Sequence, residues 1–75
     1  MYDSTKVAES IKNRAKERNV QIKDMLLDLN LNKNTLSTMY SGSMLKGDSL
    51  ARIADYLECS VDYLLGRTEN PQINR

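Results

Sequence analysis

The stretch QIKDMLLDLNLNKNTLSTMYS, residues 21–41, decides the fold. Its first half sets Ile22, Met25, Leu26 and Leu29 three and four residues apart, with Lys23, Asp24 and Asp28 on the other side. That spacing predicts an amphipathic helix over Ile22–Leu29, about two turns long. A helix this short is marginal in water, so its apolar stripe has to be buried against neighbours. Asn30 follows where a left-handed residue would end the helix, a conformation Asn tolerates better than any residue but Gly. Leu31 then supplies an apolar anchor inside the turn, and Asn32 is a favourable N-cap for a further helix starting at Lys33.

The helix expected over Lys33–Ser41 is of a different kind. Leu36, Met39 and Tyr40 form its inward stripe, while Lys33, Asn34, Thr35, Ser37, Thr38 and Ser41 are hydrogen-bonding residues with almost no charge among them. A surface helix built only for solubility would carry Glu and Lys pairs. Here the outer face carries short amides and hydroxyls. Two short helices joined by a tight turn, the second rich in donors and acceptors, are the parts of a helix-turn-helix. A major groove of about 12 Å admits one such helix, whose first residues meet base edges while the preceding helix crosses the backbone.

On the N-terminal side, Val7, Ala8, Ile11 and Ala15 predict an amphipathic helix over Thr5–Arg18, with Asp3, Ser4 and Thr5 all competent caps and an exit at Arg18-Asn19. Its basic residues, Lys12, Arg14, Lys16 and Arg18, read as a solvated face. Beyond residue 41, Gly42 ends the second helix of the pair and Ser43–Gly47 form a loop. A fourth helix follows, with Leu50, Ile53, Ala54 and Leu57 at core spacing and Asp48 and Ser49 in its first turn. Ser60 caps a short fifth helix carrying Val61, Leu64 and Leu65, and Gly66 closes it. Arg67–Arg75 shows no periodicity. The expected organisation is therefore one all-α, compact domain over residues 1–66 and a flexible tail or linker stub over 67–75.

Composition bounds what such a chain does. Its 75 residues allow one small domain and leave little room for a large substrate pocket. Cys59 is the only cysteine, so an intramolecular disulfide is impossible and a reducing, cytoplasmic setting is expected. No apolar run approaches a membrane span, and Met1–Lys6 is too polar for a signal peptide. His is absent, which removes His-based acid–base catalysis and His metal ligands, and one Cys cannot build a zinc site. Gly42 and Gly47 are isolated, so there is no glycine-rich phosphate loop. The expectation is a protein that is not an enzyme, with no cofactor, no metal and no small-molecule substrate.

The formal charge of +1 is modest for a nucleic-acid binder. Its distribution is uneven: residues 1–47 carry eight basic and five acidic side chains, residues 48–75 three and five. Between Leu29 and Gly47 there are Lys33 and Lys46 and no acid. Such a stretch approaches phosphates without repulsion.

Four pieces in order, Leu31–Ser37 (LNKNTLS), Gly42, Ser49–Leu57 (SLARIADYL) and Val61–Thr68 (VDYLLGRT), resemble the Cro/cI-like phage repressor helix-turn-helix family, also called the XRE family. The resemblance runs from about Val7 to Thr68. It implies a five-helix, lambda-repressor-like DNA-binding domain with the helix-turn-helix at helices 2 and 3. By the same resemblance Lys33, Asn34 and Thr38 face base edges. Their chemistry suits this: Lys donates to guanine O6 and N7, Asn pairs bidentately with adenine, and a Thr methyl meets a thymine methyl. Phosphate contacts are expected from Gln21 and Lys23 at the start of helix 2 and from Ser37, Ser41, Ser43 and Lys46 around the reading surface. Each of these six also has a plain role, as a turn residue, a solvated helix position or a loop charge.

Three features depart from the family pattern. Ile22 stands where many members have a Gln that clamps a phosphate or base. Asn30 replaces the turn glycine. Ala15 and Tyr40 stand where many members pair a helix-one Arg with a Glu near the end of helix 3, so Tyr40 is expected to pack over Ala15 as a structural residue, without the desolvation penalty of an ion pair. The leading functional expectation is a sequence-specific transcriptional regulator of phage or prophage repressor type. It would bind a palindromic operator in double-stranded DNA as a homodimer, with Tyr63 and Ile73 as candidate dimer contacts. The alternative, which the low net charge favours, is a protein-interaction module on the same fold, such as an anti-repressor or antitoxin-like partner.

Overall fold

The computed structural model describes residues 3–67 of the chain. Those residues form α1 (Ser4–Glu17), α2 (Ile22–Asp28), α3 (Thr35–Tyr40), α4 (Gly47–Tyr56) and α5 (Val61–Leu64), with no strand among them. The expected all-α, five-helix architecture is what is observed.

All five helices end alike. The left-handed residues are Asn19 (φ 60°), Asn30 (φ 58°), Gly42 (φ 106°), Glu58 (φ 54°) and Gly66 (φ 80°). The residue after each donates its N–H five residues back: Val20 to Ala15, Leu31 to Leu26, Ser43 to Thr38, Cys59 to Ala54 and Arg67 to Asp62, at 2.8–3.2 Å. These are Schellman closures, which satisfy carbonyls that the helix itself leaves open. Three of them also turn an apolar residue inward, since Val20 and Leu31 pack against the core and Cys59 is buried within it. These three turns thus contribute to packing as well as to chain reversal.

The core draws on every helix: Val7, Ala8, Ile11 and Ala15 of α1, Met25 and Leu26 of α2, Leu36 and Met39 of α3, Leu50, Ile53 and Ala54 of α4, then Leu57, Cys59 and Leu64. Fully burying a side chain such as Ile11, Met39 or Leu57 contributes about 1.5–3 kcal/mol. Burial pushes the Cys59 thiol up, and the Arg14 guanidinium pulls it only partly back.

Polar contacts lock the packing. Asp3 caps α1 by accepting the Thr5 N–H at 2.9 Å. This leaves Ser4 free to turn inward and donate its hydroxyl to the Met39 carbonyl at 2.8 Å, so α1 begins one residue earlier than its spacing predicts and is tied to α3. Arg14 does not belong to a solvated face. Its guanidinium donates to the carbonyls of Leu57 (3.1 Å) and Glu58 (2.9 Å), where the C-terminus of α4 favours a cation. Arg18 pairs with the Glu58 carboxylate. Together they hold Glu58 in a left-handed conformation that is costly for a residue with a Cβ.

Tyr40 departs from its expected place in the core. It is 40% exposed, and its ring meets the Lys12 ammonium, 5.0 Å from the ring centroid, rather than being enclosed over Ala15. Tyr63 is half-buried, with its hydroxyl 3.4 Å from Glu17 Oε1 of the same chain. Ile73 and residues 68–75 of the expected tail lie outside the described residues.

Candidate nucleic-acid interface

The turn into α3 is wound by one residue. Asn32 Oδ1 accepts the Asn34 N–H at 2.8 Å, and the Asn32 carbonyl accepts both the N–H and the hydroxyl of Thr35. These short-range bonds make residues 32–35 a tight turn before the helical pattern starts with Thr38 N–H to Asn34 carbonyl at 2.8 Å. Helix α3 therefore begins at Thr35, two residues later than Asn32's capping chemistry predicts. Lys33 and Asn34 sit in the turn that leads into it. Thr35 is also not an outward residue. It is buried, with its hydroxyl turned back to the chain.

All nine of the expected contact residues, Gln21, Lys23, Lys33, Asn34, Ser37, Thr38, Ser41, Ser43 and Lys46, are exposed. Hydrogen bonds join several of them. The Thr38 hydroxyl donates to the Asn34 carbonyl at 2.9 Å and the Ser43 N–H donates to the Thr38 carbonyl at 3.2 Å, so Asn34, Thr38 and Ser43 follow one another along one edge of α3. Ser37 and Ser41 form a second row, in which the Ser41 hydroxyl donates to the Ser37 carbonyl at 3.2 Å. Lys46 caps α4 with extended backbone, just beyond the loop that follows α3.

Gln21 and Lys23 stand at the start of α2. There Gln21 is the extended N-cap residue and lines a different recess with Asn19, Asp24 and Tyr56. Ile22, between them, packs against the core and leaves Gln21 as the exposed amide at this end of α2.

The electrostatics follow the sequence. The acids that flank the acid-free stretch are Asp28 and Asp48, and Asp28 already accepts a hydrogen bond from the Tyr56 hydroxyl at 2.5 Å. That bond pushes the Tyr56 phenol above its usual range, with burial and the Asp28 and Asp24 charges adding to it.

Three residues outside the expected contact set shape this surface. Arg52 of α4 donates to the Leu29 carbonyl at 2.5 Å, one residue before the left-handed Asn30, and so anchors the turn between α2 and α3. Asn32 holds the turn before α3 through its side chain and backbone. Met44 is 40% exposed and lines a cleft of about 220 Å³ with Thr38, Ser43 and Leu45. Periodicity does not reveal any of the three, because each acts through a single carbonyl, a turn or a loop. Among the described residues, no group of three or more His, Cys, Asp or Glu is placed to hold a metal ion, and no helix is long and apolar enough to cross a membrane.

Comparison with known proteins agrees with this geometry. A family model described as a Cro/C1-type HTH DNA-binding domain matches residues 10–70. Neither the curated proteins nor the solved structures contain a significant match. The matched span runs from within α1 through α5 and takes in the turn, the short α3 and the arginine-anchored α4. With most of its length covered by that one description, the chain belongs to the Cro/C1-type helix-turn-helix DNA-binding domain family.

Proposed function

We propose that this DNA-binding regulator is a sequence-specific repressor of phage or prophage type, which inserts α3 and the turn before it in the major groove of a palindromic operator and binds as a homodimer. The observation that carries the reading is the exposure of Lys33, Asn34, Ser37, Thr38, Ser41, Ser43 and Lys46, all within a stretch of sequence that holds no acid. These side chains offer amides and hydroxyls for base edges and ammonium groups for phosphates. In this reading Lys33, Asn34 and Thr38 meet bases. Gln21, Lys23, Ser37, Ser41, Ser43 and Lys46 hold the backbone.

The Ser41 hydroxyl already has its hydrogen on the Ser37 carbonyl, so contact with a phosphate oxygen, which only accepts, requires that bond to be exchanged. Two-fold operators follow from two-fold proteins, and the homodimer is proposed on that ground.

The test is binding to a mixed pool of duplex DNA at low and moderate salt, followed by selection of sites from random sequence. A DNA-binding regulator loses affinity steeply as salt rises, and an operator reader enriches one sequence. Absence of binding even at low salt would favour the second reading, a protein-interaction module on the same fold. Two observations support that reading: the formal charge of only +1, and Leu27, which is 70% exposed beside Asp24 and Asp28.

A further inference from the structure

The direction of one hydroxyl narrows what the surface is able to read. Thr38 Oγ1 lies 2.9 Å from the Asn34 carbonyl oxygen, which has no hydrogen, so the bond requires the hydroxyl hydrogen to point at Asn34. What Thr38 presents outward is then a pair of acceptor lone pairs and a methyl group. Donating to a base instead would give up the intrahelical bond, and one neutral hydrogen bond exchanged for another gains little. Beside Thr38, the cleft of about 220 Å³ adds the exposed Met44 side chain as apolar surface contiguous with the proposed DNA face.

An acceptor next to apolar surface complements a base pair that shows an amino donor and a methyl group. In the major groove an A·T pair shows both, through adenine N6 and the thymine C5 methyl. Guanine shows only the acceptors N7 and O6 there, and its partner cytosine shows an amino group without a methyl. Resting on the reading that α3 enters the major groove, we infer that Thr38 and Met44 together select an A·T pair at one position of each half-site. Thr38 accepts from the adenine amino group, and Met44 with the Thr38 methyl covers the thymine methyl.

The experiment selects sites from random duplex DNA with the full chain, then repeats the selection with Thr38→Val, which keeps the methyl and removes the acceptor. The expected result is an A·T pair whose preference relaxes in Thr38→Val. At that pair, uracil in place of thymine is expected to weaken wild-type binding roughly fourfold, the worth of about one buried methyl. Met44→Ala is expected to shrink that uracil effect, and 5-methylcytosine is expected to make a G·C pair there bind better than unmodified cytosine.

Because the base analogues leave the protein unaltered, these arms do not depend on how a variant folds. Failure to enrich any sequence overturns the operator reading and this inference with it. Enrichment of a sequence in which the pair relaxed by Thr38→Val carries a preferred guanine contact, or in which uracil binds as well as thymine, overturns the inference alone.

Discussion

The two kinds of basic residue in this chain stand in different settings, and the contrast separates the scaffold from the proposed reading surface. Among the described residues every arginine is engaged within the chain: Arg14 on the Leu57 and Glu58 carbonyls, Arg18 on the Glu58 carboxylate, Arg52 on the Leu29 carbonyl and Arg67 beside Asp62. The lysines around the turn into α3 and the loop after it, Lys33 and Lys46, are exposed and stand in the acid-free stretch. A planar guanidinium with several fixed donors suits capping a helix end. A flexible ammonium suits a phosphate whose position varies along the groove. On the proposed reading, the low net charge of the whole chain is a poor measure of what faces DNA, since the described arginines are taken up within the chain.

The largest expected effect comes from breaking the scaffold side. Arg14 is only 14% exposed at its side chain and donates to two carbonyls at the end of α4. Arg14→Ala is expected to cost about 2–3 kcal/mol in urea unfolding, because charged hydrogen bonds are lost and carbonyls are left poorly satisfied. A chain of 75 residues has roughly 4–11 kcal/mol in all, so the melting temperature should fall markedly. Arg14→Lys should recover only part of the loss, since an ammonium cannot reproduce the fork. An Arg14→Ala variant as stable as the parent would remove the arginine half of the contrast.

On the reading side the expected pattern is inverted. Asn34 is exposed, and its backbone groups, not its side chain, make the bonds recorded for it. Asn34→Ala is expected to leave unfolding unchanged within about 0.5 kcal/mol. Specific binding should weaken by about 1–3 kcal/mol, with relaxed preference at one base pair per half-site. Measured by site selection and by titration on the selected duplex, unchanged preference would mean that Asn34 does not read a base.

Arg52 sits between the two classes and sharpens the boundary. Its guanidinium is exposed, so its bond to the Leu29 carbonyl is worth less than those of Arg14, about 1 kcal/mol. Yet that carbonyl precedes Asn30, the hinge of the helix pair. Arg52→Ala is expected to lower stability by that amount and to reduce specific binding without altering which base is preferred. A changed preference would move Arg52 to the reading surface.

How far these roles were legible in the sequence depends on how locally each is determined. Asn30, Gly42 and Gly66 announce their left-handed turns through their own chemistry, and the core stripes of α1, α2 and α4 follow from spacing. Glu58 does not announce itself, because Glu has no preference for that conformation. Arg14 and Arg18, some forty residues away in the chain, hold it there. The start of α3 is misread for a related reason: Asn32 is a sound N-cap by type, but its side chain and carbonyl together close a tighter turn first. Tyr40 is apolar enough to pass for core, and its contact with Lys12 on the surface leaves no mark in the spacing. For the candidate interface, residue types and, Thr35 apart, exposure were legible. The directions of the Thr38 and Ser41 hydroxyls were not, because they depend on helical geometry that composition leaves open.

The smallest expected effect tests the lysine half of the contrast. Lys33 and Lys46 are both exposed, so replacing either by Ala should leave unfolding within about 0.5 kcal/mol of the parent. A lysine on a phosphate releases about one counterion when it binds, so its loss lowers the slope of log K against log salt by roughly 1 and weakens all sequences alike. Lys46→Ala is expected to do just that. Lys33→Ala separates two cases: if it reads guanine it changes preference at one pair, and if it holds a phosphate it reproduces the Lys46→Ala slope with no change of preference. Titrations at several salt concentrations on the selected duplex and on a scrambled one distinguish these outcomes. A slope unmoved in both variants would show that neither lysine meets the backbone and that the acid-free stretch serves another partner.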